Sequence, residues 1–484
     1  MTRDCGDNAN RGYEAASDKH LTTANSTAWL PELIYVDGRF QSSRALACDG
    51  KGVIVDAAFE NENATRLKNR AVLPGLVNAH SHAFQRVIRG RTEYRTANTK
   101  DSFWTWREMM YSAATRLTPD DVYDASRMAF LEMALTGITA VGEFHYLHHA
   151  PDGKPYDDPN LLAKEVVRAA RDVGLRIALL RVAYARSGFE TETNPQQARF
   201  IETDPETYLK YLDQLRSDLA ACESNAWVGL APHSVRAVPL DYLRRIVAFA
   251  DERVMLVHMH VAEQPAEVSA CIAEYGRSPV ALLGTEGLLS ERFTGVHVIH
   301  VTPKAVGLLA SSGATVCACP TTERNLGDGV VPVDEFMKQG VPVALGTDSH
   351  VEIGLLEDAR ELEYHLRLQR MERAVLAGPD DEGHSALAAR LFECATVNGA
   401  KSIGIAGGSL EPSTAADFFT VDLNDPSIAG ASSEDLLSSI VFSLSRTAVK
   451  DVVIGGKRIV EDGRHAQQEE IVERFKRLQK KLWG

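Results

Sequence analysis

The chain has 484 residues, of which 44% are hydrophobic and 24% charged, the proportions of an ordinary globular protein. Disorder, collagen and coiled coil are therefore excluded as overall descriptions. With 52 basic and 66 acidic side chains the net charge is −14, and no long run of lysine and arginine offers the positive surface that nucleic acid needs. At about 150 residues per domain, the length predicts two to three domains.

The N-terminal segment 1–28 is polar and lacks the apolar run of an export signal, so we interpret it as a disordered extension. No stretch of about 18 apolar residues occurs, and a membrane-spanning helix is not expected. The seven cysteines are scattered without a CxxC pair, which favours reduced thiols in a cytosol. We expect a soluble, cytoplasmic protein that binds neither membrane nor nucleic acid. A homodimer is compatible with the sequence, which does not fix the oligomeric state.

Short strands with hairpin turns are predicted near both ends of the chain. The dipeptides Asp37-Gly38 and Gly455-Gly456 each stand between two β-like runs, and such dipeptides are typical of two-residue hairpins. Neither terminal group of strands is large enough to bury a core alone. We therefore predict one small β-sandwich domain that is built from both termini.

The region between the terminal strands alternates apolar runs with helical patterns, which predicts a parallel α/β sheet. Eight such runs predict a (β/α)8 TIM-like barrel of about 250 residues or more. Thr118 followed by Pro119 is a typical capped helix start and supports this prediction. The eight predicted strands are 72–82, 138–146, 175–184, 227–234, 255–263, 296–302, 314–320 and 341–349. The predicted boundaries are 1–28 for the extension, 29–70 with 405–465 for the β domain, 71–404 for the barrel and 466–484 for a C-terminal helix.

Most of the predicted barrel strands end in a polar or ionisable residue. A parallel barrel brings these ends together at one mouth, where such enzymes have their active sites. A single histidine at a strand end is more often a core residue than a ligand, but so many at one mouth are hard to explain by packing. The residues are His80, His82, His145, His233, His260, His300 and Asp348.

A candidate metal site lies among these residues. His80 and His82 are two residues apart in the first strand, so both side chains point to the same side. His260 from the fifth strand and Asp348 from the eighth complete a set of four donors. Neutral imidazoles with one carboxylate suit Zn²⁺ or Fe²⁺ better than Mg²⁺ or Ca²⁺. We expect a divalent transition metal, with Zn²⁺ as the first choice and Fe²⁺ as the alternative.

The motifs LPGLVNAHSH, HVAE and GTDS, together with His300, resemble the amidohydrolase superfamily and specifically its deaminase-like branch with one metal ion. The resemblance implies that the four donors hold the metal and that His300 contacts the attacking water or the substrate. Asp348 would help to orient that water. Glu263 follows His260 by three residues and matches the glutamate that shuttles protons in this branch. No lysine ends the fourth strand, where the two-metal branch has one, so one metal ion per chain is implied.

Other motifs are similar to those of the formimidoylglutamate deiminase family, which acts in histidine degradation. DSFWTWRE and EFHYLHH are distinctive, whereas HSHAFQR, APHSVRAV and NLGDG are shared more widely. The similarity implies hydrolysis of N-formimino-L-glutamate to N-formyl-L-glutamate and ammonia. Two arginines suit the two carboxylates of such an anionic small molecule. The implied substrate contacts are Gln85, Arg107, Tyr146, His233 and Arg236.

Two alternatives stay open at this point. The protein could be another aminohydrolase of the branch, acting on a purine, pyrimidine or triazine ring, or a non-catalytic barrel. A ring pocket would favour amide and aromatic contacts over two arginines, and the retention of Glu263 and every ligand argues against a non-catalytic barrel. The sequence departs from the resemblance at Arg324, where a small residue is expected, so the rim of the pocket could differ.

Overall fold

The structure is a computed structural model, of which residues 26–55, 64–95, 102–189, 191–192, 194–222, 225–378 and 383–484 are described here. Most of the predicted N-terminal extension lies outside these residues. Its predicted end is too late, because Thr27 and Ala28 already belong to the first strand.

The strands of the described residues form two eight-stranded sheets. One sheet is parallel and contains all strands of the middle region, whereas the other is mixed and contains the terminal strands. In chain order the strands are β1 (Thr27–Val36), β2 (Arg39–Ser42), β3 (Leu46–Cys48), β4 (Thr65–Pro74), β5 (Leu76–Ser81), β6 (Ile138–His145), β7 (Arg176–Ala183), β8 (Ala226–Pro232), β9 (Val257–Val261), β10 (Phe293–His297), β11 (Thr315–Ala318), β12 (Val343–Leu345), β13 (Phe418–Asp422), β14 (Val449–Ile454), β15 (Lys457–Glu461) and β16 (Arg464–His465).

The helices of the described residues surround the parallel sheet, and none of them is long and apolar enough to cross a membrane. In chain order they are α1 (Phe103–Ala114), α2 (Pro119–Ala134), α3 (Leu161–Val173), α4 (Pro205–Cys222), α5 (Leu240–Glu252), α6 (Pro265–Tyr275), α7 (Pro279–Thr285), α8 (Pro303–Ser312), α9 (Pro320–Leu326), α10 (Val333–Lys338), α11 (Leu355–Arg370), α12 (Ala386–Cys394), α13 (Val397–Ile403), α14 (Leu436–Ser443) and α15 (Gln468–Trp483).

The predicted (β/α)8 barrel is confirmed. Strands β5 to β12 lie side by side in chain order, and a bridge between Ser81 and Asp348 joins the last strand region to the first. The sixth strand differs from its prediction, because β10 ends at His297 instead of running to residue 302. The backbone leaves the strand there: φ is +70° at His297 and +55° at Val298. A β-branched residue rarely adopts this conformation, so no pattern in the sequence predicts it.

The second sheet takes strands from both ends of the chain, as predicted. Its order is β16-β15-β14-β13-β4-β1-β2, and β3 pairs with β1. Both predicted hairpins are confirmed, since Val36 pairs with Arg39 and Ile454 pairs with Lys457. The antiparallel pairing of β13 with β4 joins the N-terminal strands to the C-terminal ones.

The terminal sheet holds the start of the first barrel strand. Strand β4 continues into β5 through Gly75, where an added Cβ atom would lie 2.3 Å from Oγ1 of Thr139, so only glycine fits. The guanidinium of Arg176 donates two hydrogen bonds of 2.6 and 3.1 Å to Asp417, which also accepts one of 2.7 Å from the N–H of Gly455. Arg176 begins β7, so these contacts join the terminal sheet to the barrel, and the carbonyl of Asp417 also accepts a 2.9 Å hydrogen bond from the N–H of Gly75 directly before β5.

A buried ion pair stabilises the wall of the barrel. Arg181 on β7 donates hydrogen bonds of 2.7 and 2.8 Å to Glu202, and the two side chains are only 0% and 2% exposed. Burial by itself raises the pKa of Glu202, but the Arg181 guanidinium lowers this pKa to about 2 from the usual 4.5. The pair is therefore charged at neutral pH.

We predict that Glu202→Gln lowers the free energy of unfolding by about 3–5 kcal/mol at neutral pH, because it leaves a buried guanidinium charge unpaired. Denaturant unfolding measures this loss. The matched control is Glu206→Gln, which breaks the exposed pair of Glu206 with Arg245 and should cost less than about 1 kcal/mol.

The effect of Glu202→Gln should also depend on pH. A carboxylate with a depressed folded pKa contributes stability that is complete above its unfolded pKa and is lost as the pH falls through the folded one. The difference between wild type and Glu202→Gln should therefore be full above about pH 4.5 and shrink towards pH 2. An unchanged difference across this window would contradict the prediction.

Candidate metal centre and active-site cavity

The four predicted metal ligands meet at the mouth of the barrel. The Nε2 atom of His80 lies 3.1 Å from the Nε2 atoms of both His82 and His260. The Oδ1 atom of Asp348 is 3.5 Å from Nε2 of His80 and 3.2 Å from Nε2 of His82. All four side chains are buried. Together they form a group that could hold one metal ion.

Backbone carbonyls orient two of the three imidazole rings. The Nδ1 atom of His82 lies 2.9 Å from the carbonyl oxygen of Phe144, and that of His260 lies 3.1 Å from the carbonyl oxygen of His233. A carbonyl oxygen only accepts, so each Nδ1 carries the hydrogen and each Nε2 turns its lone pair to the centre. Burial lowers the pKa of His80 to about 3, so this ring is neutral as well. Converging lone pairs repel one another, and a bound cation removes that repulsion.

Asp348 joins the two ends of the barrel at the metal group. Its backbone N–H donates a 3.1 Å hydrogen bond to the carbonyl of His80, and its own carbonyl accepts one of 3.1 Å from the N–H of His82. Its φ of +44° turns the chain back across β5. Burial by itself raises the pKa of Asp348, but contacts with both imidazoles hold it well below its usual value. The side chain is therefore a carboxylate, as a metal ligand must be.

The sixth strand brings His297 into the site instead of the predicted His300. The Nε2 atom of His297 lies 3.7 Å from Oδ2 of Asp348 and 3.7 Å from Oε1 of Glu263. His300 lies beyond the strand end, where its Nε2 atom is 2.9 Å from the carbonyl oxygen of Asp328. The prediction is wrong because β10 ends at His297, five residues before its predicted end at residue 302.

Glu323, which the sequence analysis missed, contacts the far side of His297. Its Oε1 atom lies 3.1 Å from Nδ1 of His297 and accepts a 2.9 Å hydrogen bond from the N–H of Cys319. Burial by itself lowers the pKa of His297, but Glu263 and Glu323 raise it well above its usual value. No motif marks Glu323, because a glutamate in the first turn of α9 is common on any solvated helix.

Glu263 is buried directly after β9. Its backbone N–H donates a 3.1 Å hydrogen bond to Oε2 of Glu267, and the preceding Ala262 has a φ of +52°. This turn places the Glu263 carboxyl beside His297 and inside the cavity. Burial raises the pKa of Glu263, which favours a carboxyl that can carry a proton.

Three of the four residues of the metal group, His82, His260 and Asp348, line a cavity of about 50 Å³. Neither His145 nor Arg324 is among the described residues that line it, and Arg324 instead pairs with Glu361 at 2.5 Å. All of the predicted substrate contacts do line the cavity, and these are Gln85, Arg107, Tyr146, His233 and Arg236.

Two arginines bring positive charge to one wall of the cavity. Nε and Nη1 of Arg107 and Nε of Arg236 are buried and have no hydrogen-bond partner within the described chain. Their guanidinium carbons lie 4.5 and 5.8 Å from the ring centre of Trp104. Burial and, to a smaller extent, Arg236 lower the pKa of Arg107. The wall therefore presents two cations that an anionic ligand would stabilise.

A polar pair lies nearer to the metal group. Gln85 donates a 2.7 Å hydrogen bond from Nε2 to the hydroxyl of Tyr146, whose ring centre is 5.1 Å from that of His82. The Oε1 atom of Gln85 is buried without a partner in the described structure. This amide oxygen can accept a hydrogen bond from an N–H group of a ligand.

A family model described as "Amidohydrolase family" matches residues 71–459. The chain belongs to the amidohydrolase family. The predicted resemblance to formimidoylglutamate deiminases is confirmed as well, since formimidoylglutamate deiminase from Pseudomonas aeruginosa is 37% identical over 448 residues. That similarity covers 93% of this chain and 96% of the relative.

Solved structures agree with the amidohydrolase fold. The crystal structure of an amidohydrolase from Brucella melitensis has a TM-score of 0.87 and 33% sequence identity, and covers 95% of this chain and 100% of that chain. An adenosine deaminase from Xanthomonas campestris with bound zinc has a TM-score of 0.78 at 22% identity, covering 94% and 98% of the two chains. The second likeness concerns the fold alone.

We predict that the purified amidohydrolase holds about one divalent transition-metal ion per chain, because the four donors converge on one centre. Elemental analysis of His260→Ala should show that most of this metal is lost. The control His300→Gln alters a histidine outside the ligand group and should retain the metal. Two ions per chain, or equal metal content in both variants, would overturn this prediction.

Proposed function

We propose that this amidohydrolase is a metal-dependent deiminase that converts N-formimino-L-glutamate and water to N-formyl-L-glutamate and ammonia. The relative from Pseudomonas aeruginosa supports the reaction. The observation that supports this choice of substrate is the pair formed by Arg107 and Arg236, whose buried N–H groups have no partner in the described protein. A substrate with two carboxylates supplies the missing negative charges, and a guanidinium binds a carboxylate through two parallel hydrogen bonds.

The metal is proposed to be Zn²⁺, with Fe²⁺ as the alternative, held by His80, His82, His260 and Asp348. Three imidazoles and one carboxylate are donors that Zn²⁺ prefers, which supports this choice. When bound, such a metal supplies Lewis acidity that makes water nucleophilic near neutral pH.

Residues around the metal group are proposed to orient water and move protons. Oδ2 of Asp348 and Nε2 of His297 lie 3.7 Å apart and can hold the attacking water towards the formimino carbon. His297 takes the part that the sequence analysis gave to His300. Glu263, within 3.7 Å of His297, can receive a proton from the water and deliver it to the departing nitrogen. Water adds to the C=N bond, its two hydrogens pass to the nitrogen, a C=O bond replaces the C=N bond, and the nitrogen leaves as ammonia.

The two arginines and three residues of the metal group line the same cavity, so a substrate can reach both sets of residues. The carboxylates would bind at Arg107 and Arg236, so that the formimino group reaches Glu263. The unpaired Oε1 of Gln85 can accept a hydrogen bond from the substrate amidine. This arrangement favours an elongated substrate with its charges at one end over a neutral purine, pyrimidine or triazine ring.

A cytoplasmic location is also proposed. Cys48, Cys271, Cys317, Cys319 and Cys394 are all buried free thiols, which suits a reducing compartment. The homodimer stays a prediction.

The direct test of the function is an ammonia assay on metal-loaded enzyme. Ammonia and N-formyl-L-glutamate should form in equal amounts from N-formimino-L-glutamate, whereas adenosine and a triazine should give little ammonia. Ammonia from a ring substrate alone would replace the proposal by the ring aminohydrolase. No ammonia from any substrate, despite bound metal, would favour a non-catalytic barrel.

We predict that Glu263→Gln lowers turnover by about 10²–10⁴-fold, because the amide keeps the shape of the side chain but cannot carry the proton. Metal content should not change, since Glu263 is outside the ligand group. Elemental analysis and steady-state kinetics measure both quantities. The control Glu286→Gln removes a half-buried partner of Arg244 that does not line the cavity, and its activity should equal that of the wild type. Activity of Glu263→Gln within threefold of the control would mean that another group moves the proton.

Arg236→Met tests the substrate rather than the family. Loss of one partner of a buried charge pair costs about 2–5 kcal/mol, or roughly 30- to several-thousand-fold in kcat/KM. Arg236→Lys should recover only part of this loss, because a point charge does not replace the guanidinium fork. The control Arg244→Met removes an exposed arginine of α5, the helix that follows Arg236 in the chain. If Arg236→Met keeps the wild-type kcat/KM on N-formimino-L-glutamate, the assignment of Arg236 to a carboxylate is wrong.

A further inference from the structure

A buried glutamine connects two tyrosines that line the active-site cavity. Gln197 ends a short 3-10 helix and is only 1% exposed. Its Nε2 atom donates hydrogen bonds of 2.5 Å to the hydroxyl oxygen of Tyr111 and 2.7 Å to that of Tyr184. An amide NH2 group has two hydrogens, so both are used by the two phenol oxygens. None of these three residues has a part in the proposed reaction described above.

This arrangement decides which way the phenol hydrogens can point. Each phenol oxygen accepts a hydrogen from Gln197, so its own O–H is left to donate elsewhere. The hydroxyl of Tyr111 can donate to that of Tyr184, and beyond this pair no described residue accepts a hydrogen bond from either hydroxyl. Burial raises the pKa of Tyr111, so this hydroxyl keeps its hydrogen at neutral pH. The two tyrosines can therefore turn their O–H donors to an acceptor in the cavity that they line.

These donors lie on the wall that carries the two arginines. The guanidinium carbon of Arg107 is 5.3 Å from the ring centre of Tyr111. The ring centre of Tyr184 is 4.6 Å from that of His233, which precedes Arg236 by three residues. A carboxylate has only acceptor atoms, and it is the group that such a set of cations and O–H donors binds best.

We propose that Tyr111 and Tyr184, set as hydrogen-bond donors by Gln197, form a carboxylate-binding subsite beside Arg107 and Arg236. This inference rests on the proposed function, because it assigns one of the two carboxylates of the deiminase substrate. The two tyrosine hydroxyls bind one of the two carboxylates. The two arginines contribute to the binding of both carboxylates. Gln197 is a positioning residue, since it acts only through the two hydroxyls.

The test uses variants that change the direction of these hydrogen bonds. Tyr111→Phe and Tyr184→Phe each remove one donor. Gln197→Glu keeps the shape of the side chain, but its carboxylate only accepts, so it turns both phenol hydrogens away from the cavity. Gln197→Met removes the amide without adding an acceptor. The control Tyr123→Phe removes a hydroxyl that donates to Asp172 outside the cavity.

Kinetics on three substrates separate the subsite from a general defect. N-formimino-L-norvaline lacks the distal carboxylate of the substrate, and N-formimino-4-aminobutyrate lacks the α-carboxylate. On N-formimino-L-glutamate, both Tyr→Phe variants and Gln197→Glu should lower kcat/KM by about 10- to 100-fold, chiefly through KM, because each loses a hydrogen bond to a charged group. This loss in kcat/KM should be absent for the analogue that lacks the carboxylate bound by the tyrosines. It should persist for the analogue that keeps that carboxylate.

Each contrary result has a distinct meaning. Equal losses on all three substrates would show a merely structural role and overturn the subsite. Gln197→Glu no worse than Gln197→Met would overturn the assignment of the tyrosines as donors. Binding of glutarate to the zinc-loaded enzyme, measured by calorimetry, does not depend on the reaction and should weaken by about tenfold in Tyr184→Phe but not in Tyr123→Phe. If wild type binds glutarate in this way but releases no ammonia, the proposed function fails and the subsite stands.

Discussion

Three imidazole nitrogens and one carboxylate oxygen converge within hydrogen-bond distance at the mouth of the barrel, and a protein without a cation there would bear the repulsion of their lone pairs. The surrounding structure prevents the rings from turning away. Carbonyl oxygens fix His82 and His260 through their Nδ1 atoms, and burial holds the pKa of His260 well below its usual value. The backbone bonds of Asp348 to His80 and His82 place ligands from opposite ends of the barrel side by side. This arrangement requires a closed barrel, because β5 and the end of β12 meet nowhere else.

The charge around this centre is divided between the two parts of the cavity. Asp348 and Glu263 lie beside His297 near the metal group, whereas Arg107 and Arg236 lie together with Trp104 on another wall. A substrate with an amidine at one end and carboxylates at the other has the matching polarity. Among the described residues, no carboxylate forms a salt bridge with either arginine, so a substrate carboxylate can take that place.

The backbone is strained at the strand ends that position the side chains of the site. Ala262, His297 and Asp348 have φ values of +52°, +70° and +44°, and all three lie at or just beyond the ends of barrel strands. Left-handed conformations of residues other than glycine carry a small free-energy cost, which the packed surroundings must offset. Each of these turns ends the extended backbone at a residue of the site or directly before one. The barrel therefore holds the side chains of the site in rigid positions, which is what preorganised catalysis requires.

The sequence by itself determined the parts of the protein that follow from periodicity and close spacing. The alternating apolar runs predicted the barrel, and the spacing of His80 and His82 on one strand predicted two ligands on one face. His260 and Asp348 were within reach of sequence reasoning, because each ends a strand and all parallel strands end at one mouth. Arg107 and Arg236 could be named only through the resemblance to a family, since an arginine near a strand end is usually solvated.

The tertiary structure alone decided which groups face one another across the barrel. His297 replaced His300 because the chain turns left-handed at Val298, and no local pattern predicts that conformation for a β-branched residue. Glu323 and Gln197 lie far from their partners in the chain, and their residue types are common on solvated surfaces. Their contacts arise only when separate loops meet above the strands. Strand ends can be read from a periodic pattern, whereas the meeting of two loops depends on the packing of the whole barrel.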